Sequence, residues 1–295
     1  MTAPTFLEPA DLETAVGLLE AHGRDAAVLA GGVSWMLRQA RGQELPPLLI
    51  SLAGIDGLRG LGVVDGALVI GAMTSLAGVE RSPILADRAP GLAEAIGAVG
   101  SVRIRSQATV GGNLAAGVPR YDPPPMLLAL DARVRVAGAD GTREVALSSW
   151  PRHEHEPTAG EILVAVVVPP RAPRSAARYR SIDGASGIEF EHAAAAVRVD
   201  LGADGTIVDA RIVIADMVGQ PRRCGPAEAQ LIGTTPSPET ADAVAALAAE
   251  PGADAGARRD TADLLATATR RALLAAFADL ADLVPEPAAR PAGPR

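Results

Sequence analysis

The chain has no lysine; all 27 of its basic residues are arginine. That excludes a phosphate loop built on a Walker lysine, and any Schiff-base chemistry. It has one cysteine, Cys224. A lone thiol excludes internal disulfides, a thiolate-held iron–sulfur cluster and a cysteine-rich zinc site, and it fits a reducing compartment. Aromatics are scarce, with two Trp, two Tyr and three Phe, so a core must be built from Leu, Val, Ile and Ala. No apolar run approaches the ~18 residues of a membrane span; the run Ile162–Val168 is of strand length. The opening MTAPTFLEPADLE lacks the basic and apolar regions of a secretory signal. A cytoplasmic protein is expected. Asparagine occurs once, at Asn113.

What is present reads as globular. Hydrophobic residues make up 48% and charged residues 21% of the 295 positions. That length gives about two domains as a starting expectation. The net charge of -8 disfavours nucleic acid and anionic membranes as partners.

Along the chain, the first fifty residues read strand, helix, strand, turn, helix, strand. Asp11 is placed to N-cap a helix with Leu12, Val16 and Leu19 on its apolar face. Ala26–Leu29 reads as a strand that ends at Gly31-Gly32, before a short helix from Ser34 to Arg41. Asp65-Gly66 and Asp140-Gly141 sit between alternating apolar runs and predict hairpins. Helices are expected after Thr74 or Ser75, over Leu92–Val99 and over Pro124–Leu130, with Gln107–Asn113 a turn between elements. Pro169–Pro173 reads as a linker. Beyond it, Ala193–Val199 and Arg211–Ala215 predict a sheet, and Thr240–Ala249 and Thr261–Leu280 predict two amphipathic helices. The repeated GADGT at 138–142 and 202–206 is shared turn chemistry.

Two segments could carry chemistry. In Leu29-Ala30-Gly31-Gly32-Val33-Ser34 a strand runs into paired glycines ahead of a helix. Glycines let backbone N–H groups approach a ligand closely, and a helix N-terminus favours an anion. Thr109-Val110-Gly111-Gly112-Asn113 repeats that pattern, and Asp122 follows as an acceptor suited to a ribose hydroxyl. Each alone also reads as a tight turn with nothing bound. Together they predict a two-sided clamp on one dinucleotide. His153-Glu154-His155-Glu156 could ligate a metal, but its polar, Pro-flanked setting favours a solvated loop. Arg222-Arg223 and Arg270-Arg271 read as solvated faces, and Cys224 as a residue without a catalytic partner.

Four ordered blocks carry a family resemblance: VLAGGVSWML (28–37), LVIGAMTSLAGVERSP (68–83), IRSQATVGGNLAAGVPRYDPPPMLLALDA (104–132) and GEILVAVVVP (160–169). They resemble the FAD-binding medium subunit of the molybdenum hydroxylases, which include aerobic carbon monoxide dehydrogenase and bacterial xanthine dehydrogenase. The resemblance implies an α+β fold. A two-subdomain FAD-binding PCMH-type domain, vanillyl-alcohol-oxidase-like, would span 1–172, divided near residue 55. A carbon monoxide dehydrogenase flavoprotein-like C-terminal domain of antiparallel sheet plus helices would span 174–285, with a disordered tail at 286–295.

The same resemblance implies a flavoprotein oxidoreductase subunit that is inactive on substrate without its partners. Non-covalent FAD would contact Val28, Leu29, Ala30, Gly31, Gly32, Val33, Ser34 and Trp35 in the first loop. In the second it would contact Thr109, Val110, Gly111, Gly112 and Asn113, with Asp122, Leu163 and Arg180 beyond. No metal is expected in this chain. The [2Fe-2S] clusters and the molybdenum cofactor would lie in an iron–sulfur small subunit and a molybdopterin large subunit, in a dimer of heterotrimers. Departures from the family pattern are Val33 in place of a common Thr or Gln, the bulky Trp35, and the 183–190 stretch. A self-contained flavin oxidoreductase, or a scaffold subunit that has lost FAD, is the alternative.

Overall fold

The computed structural model describes residues 3–150, 160–183, 192–217, 219–248 and 259–283. The His153–Glu156 run, the 286–295 tail and residues 184–190 of the departing stretch lie outside the described residues.

Three sheets organise the chain. The first is parallel, with β1 (Thr5–Leu7), β2 (Ala26–Leu29) and β3 (Leu48–Ser51) in the order β1-β3-β2. Two helices make its crossovers, α1 (Leu12–His22) and α2 (Val33–Ala40). Asp11 does N-cap α1, accepting from the Thr14 amide at 2.7 Å.

The second sheet is antiparallel: β4 (Leu61–Val64), β5 (Ala67–Gly71), β6 (Arg133–Gly138), β7 (Gly141–Ala146) and β8 (Ile162–Val168), in the order β4-β5-β8-β6-β7. Both hairpins form, the first about Asp65-Gly66 and the second about Ala139-Asp140, one residue ahead of the expected Asp140-Gly141. Between β5 and β6 the chain makes six helices: α3 (Leu76–Glu80), α4 (Pro83–Arg88), α5 (Pro90–Ala98), α6 (Val102–Gln107), α7 (Val110–Ala115) and α8 (Pro123–Ala129). The expected turn at Gln107–Asn113 is therefore a correction. It is the end of α6, one extended residue pair, and then the first residues of α7, which Thr109 N-caps. Two glycines with poor helix propensity hid this helix.

The third sheet joins β9 (Ser175–Asp183), β10 (His192–Leu201), β11 (Ile207–Ala215) and β12 (Arg222–Arg223) in the order β12-β11-β10-β9. The sequence reading missed β9, whose Arg178 and Arg180 interrupt the apolar pattern. Helices α9 (Gly225–Leu231), α10 (Pro238–Ala248) and α11 (Arg259–Leu283) cover this sheet.

β10 is buried on both faces, which explains its continuous run of small apolar residues. Ala194 and Ala196 join the core that β5, β6, β8 and α3–α8 build, while Ala193, Ala195 and Val197 join the core under α11. The third sheet thus rests directly on the body that carries the second.

Candidate functional site

A cleft of about 360 Å³ opens where the first and second sheets meet. Its walls come from the β2–α2 turn, from the α6–α7 junction, from residues 118–122 and from Leu163 on β8.

The β2–α2 turn presents an uncapped helix. Gly32 holds the N-cap position at φ +76° and has no side chain to cap with. The first intrahelical bond is Met36 N–H to Gly32 O, at 2.9 Å. The amides of Val33, Ser34 and Trp35 precede that bond, so helical geometry gives them no partner. With the positive end of the helix dipole they are suited to receive an anion. Gly32, Val33, Ser34 and Trp35 all line the cleft.

The second glycine pair does something else. Its amides are already used: Val110 N–H donates to Thr74 O at 3.0 Å and Gly111 N–H to Ala72 O at 2.8 Å. The Gly112 amide meets Thr109 Oγ1 at 3.1 Å and the Asn113 amide meets Thr109 O at 2.8 Å. The second loop is thus a self-capped helix sewn to the end of β5, its first four amides already bonded.

Its glycines answer to packing. A β-carbon on Gly111 would stand 2.6 Å from Ala72 Cβ, and one on Gly112 would stand 3.3 Å from Ala30 Cβ. One on Gly31 would stand 1.9 Å from Gln107 O. The two loops are glycine-rich because they press on each other and on the strand end beneath them.

The second loop contributes a side chain instead. Asn113 is buried against the cleft, and its Oδ1 has no hydrogen-bond partner among the described residues. A buried acceptor left unpaired costs about 1–3 kcal/mol. It is a place for a ligand that brings a hydroxyl or an amine.

One contact crosses between the walls, and two more brace the first. Ser34 Oγ lies 3.2 Å from the Tyr121 hydroxyl. Trp35 Nε1 donates to Val28 O at 2.9 Å, and the Arg38 guanidinium stacks 4.8 Å from the Trp35 ring centre. Arg38, Arg41 and Arg120 give the wall positive charge, against Asp122 and Glu161. Sequence reading did not single out Arg38, Arg41, Arg120 or Tyr121. The i, i+3 spacing of Trp35 and Arg38 was the available signal for Arg38.

Asp122 stands immediately before α8, where a carboxylate ordinarily accepts from the second or third amide of the helix. Here those positions are Pro123, Pro124 and Pro125, which have no N–H to give. The carboxylate makes no capping bond. It accepts instead from the Tyr179 hydroxyl on β9, Oδ1 to Oη 2.6 Å, and lines the cleft.

Of the residues singled out in the sequence, Val28, Ala30, Gly31, Gly32, Val33, Ser34, Trp35, Thr109, Gly111, Gly112, Asn113, Asp122 and Leu163 line this one cleft. Leu29, Val110 and Arg180 are outside its lining. Val110 is buried in the central core. Arg180 is held by Glu94 on α5, at 2.9 Å.

Elsewhere the arginine pairs are not merely solvated. Arg223 makes a two-armed pair with the buried Glu228 at 2.9 and 2.5 Å, and Arg222 meets Asp216 at 3.3 Å. The Glu228 bond, aided by charge, pushes Arg223 above its ordinary pKa against the effect of burial. Arg270 pairs with Asp242. Cys224 sits half-buried ahead of α9. Among the described residues no group of three His, Cys, Asp or Glu could hold a metal, and no helix is long and apolar enough to cross a membrane.

Residues 2–171 match the family described as the FAD binding domain in molybdopterin dehydrogenase, and residues 188–276 match the CO dehydrogenase flavoprotein C-terminal domain. The nicotine 6-hydroxylase medium subunit of Paenarthrobacter nicotinovorans is 32% identical over 246 residues, 82% of this chain and 85% of that one. The carbon monoxide dehydrogenase medium chain of Afipia carboxidovorans is 30% identical over 247 residues, 82% of this chain and 84% of that one. In structure, the chain is similar to the Cu,Mo-CO dehydrogenase in its cyanide-inactivated form. The TM-score is 0.84 at 29% identity, covering 94% of this chain and 99% of that one.

Proposed function

The chain belongs to the FAD-binding medium subunits of the molybdenum hydroxylase family, flavoprotein oxidoreductase subunits of the carbon monoxide and xanthine dehydrogenase type, and from that premise we propose that it is the electron-exit subunit of such a complex. Its partners are an iron–sulfur small subunit and a molybdopterin large subunit, assembled as a dimer of heterotrimers in the cytoplasm. The chemistry that FAD supplies when bound is electron carriage, from the partner's [2Fe-2S] clusters to an external acceptor. This chain's one cysteine leaves the clusters to the partner.

The observation that carries the site is a pairing within one cleft. The uncapped N-terminus of α2 and the Oδ1 of buried Asn113, unpartnered among the described residues, both face it. FAD fits both, having an anionic pyrophosphate and hydroxyl donors along its sugar chains. The amides of Val33, Ser34 and Trp35 bind the pyrophosphate, and Asn113 and Asp122 accept from sugar hydroxyls. Thr109, Val110, Gly111 and Gly112 place Asn113. Val28, Leu29, Ala30, Gly31 and Gly32 shape the turn from beneath. Leu163 covers the cleft floor, and Arg180 acts from outside it.

Val33 supplies an amide but no side-chain bond, so the backbone carries the first loop's contribution. The FAD domain is taken as 1–172 and the C-terminal domain as 174–285.

The test is the visible spectrum of the purified chain, with mass identification of acid-released cofactor. About one FAD per chain is expected. A colourless chain that also refuses added FAD overturns the site. Co-purification from the native source is expected to recover an iron–sulfur subunit and a molybdopterin subunit; recovery of the chain alone overturns the partner assignment.

A further inference from the structure

We propose that the C-terminal sheet completes the cofactor site, with Tyr179 as the positioning residue that holds Asp122 facing the cleft and His192 beside it. The inference rests on the reading above that Asp122 accepts from FAD.

Asp122 and Tyr179 come from different layers of the molecule. Asp122 ends the segment that follows α7, and Tyr179 lies in the middle of the edge strand β9. The Tyr179 hydroxyl donates to Asp122 Oδ1 at 2.6 Å, short for such a bond and consistent with a charged acceptor. Both residues are buried, at 2% and 8% exposure.

The sheet register brings in the third member. Tyr179 pairs with Ala196 across β9 and β10. Residues two and four positions away on β10 share the face of Ala196, so His192 stands on the Tyr179 side of the sheet. Its Nε2 lies 3.8 Å from Asp122 Oδ1, with the ring 11% exposed.

The strand carrying Tyr179 is itself fixed to the FAD-binding body. The Tyr179 amide donates to Glu94 Oε2 at 2.9 Å, and Arg178 and Arg180 grip the same carboxylate at 3.0 and 2.9 Å. A β-carbon on Gly91 would stand 2.6 Å from Ala177 O, so α5 and β9 are in backbone contact.

The three prolines remove the ordinary use of this carboxylate, and the Tyr179 hydroxyl replaces it. A carboxylate with one oxygen held by a buried phenol keeps a single orientation at the cleft wall. The C-terminal sheet therefore contributes to FAD binding through Asp122, without lining the cleft at Tyr179 or His192.

The experiment is an FAD titration of the full-length apo chain, read by flavin fluorescence, for wild type, Asp122→Ala, Tyr179→Phe and the double variant. Asp122→Ala is expected to weaken FAD binding 20-fold or more, on the order of one lost charged hydrogen bond. Tyr179→Phe is expected to weaken it about 5-fold, and to add nothing in the Asp122→Ala background. A purely structural role for Tyr179 would instead persist in that background, and additive losses overturn the proposal. A loss with Asp122→Ala but none with Tyr179→Phe also overturns it, while leaving Asp122 as a contact. No loss with Asp122→Ala overturns the Asp122 reading itself. If Tyr179→Phe does not fold, His192→Asn takes its place in the same cycle, with about a 2-fold loss expected that again vanishes beside Asp122→Ala.

Discussion

The carbonyl oxygen of Gln107 occupies the space that a β-carbon on Gly31 would need, the two lying 1.9 Å apart. The first loop therefore closes on the second through bare backbone. Gly31→Ala forces two main-chain segments apart and is expected to cost at least about 3 kcal/mol, with loss of FAD. Gly32→Ala has space, its nearest neighbour being Leu29 Cδ1 at 3.6 Å, and meets only the left-handed backbone at φ +76°. That is expected to cost about 1–2 kcal/mol. Thermal melts of the two apo variants should rank them in that order.

Asn113→Ala separates binding from folding. The variant gives up an acceptor that is buried and, among the described residues, unpaired, so the apo melting temperature should not fall by what a lost hydrogen bond would cost. FAD affinity should drop by a factor of roughly 5–150, the equivalent of about 1–3 kcal/mol. Melting curves of the apo chain beside a fluorescence titration check both halves.

Removing Arg223 should unsettle the C-terminal body without touching the cleft. Glu228 is buried and accepts from Arg223 through both oxygens, and Oε1 also accepts from the Ile212 amide at 3.0 Å. Arg223→Ala leaves that carboxylate with one donor fewer. A loss of about 1–3 kcal/mol in denaturant unfolding is expected, with FAD affinity per folded molecule unchanged.

Acid should loosen the joint between the C-terminal sheet and the loop that leads into β6. Arg198 and Arg211 bridge Asp209 to Asp131, Arg198 at 2.6 and 2.8 Å. Burial pushes the Asp209 carboxyl up, but the Arg211 and Arg198 bonds outweigh it and hold the group below its ordinary value of 3.8. A depressed carboxyl stabilises the fold above its unfolded pKa and loses that contribution as pH falls through the folded one. Asp209→Asn should therefore lower the melting temperature at pH 7, and the gap to wild type should shrink below about pH 4.

Much of this was legible in the residues. Asp11 before an apolar 3.6 period, and Asp-Gly between alternating runs, specify a helix start and two hairpins locally, so neighbours could not override them. Thirteen cleft residues were also singled out in advance, because four ordered blocks of the sequence resemble the FAD-binding family; either glycine pair alone reads equally as a tight turn. What the glycines were for was not legible. Gly31 and Gly111 answer to Gln107 and Ala72, and a backbone collision between distant segments leaves no trace in either one alone. The same limit hid Tyr179: its partner lies 57 positions away, and β9 carries arginines where a strand pattern asks for apolar residues. Pro123–Pro125 did carry a local message. Three residues without amides after an aspartate announce a carboxylate with no cap to make.

The first sheet has its last strand in sequence at its centre. β1 and β2 each bond to β3 and not to each other. While the chain is being synthesised, Thr5–Leu7 and Ala26–Leu29 thus have no ladder to join until Ser51 has left the ribosome. The Gly31-Gly32 turn, set at the open end of β2, takes its form only when that third strand arrives. The amides of Val33, Ser34 and Trp35 are therefore set by the assembled sheet, and a peptide that ends before residue 48 should hold none of them in place.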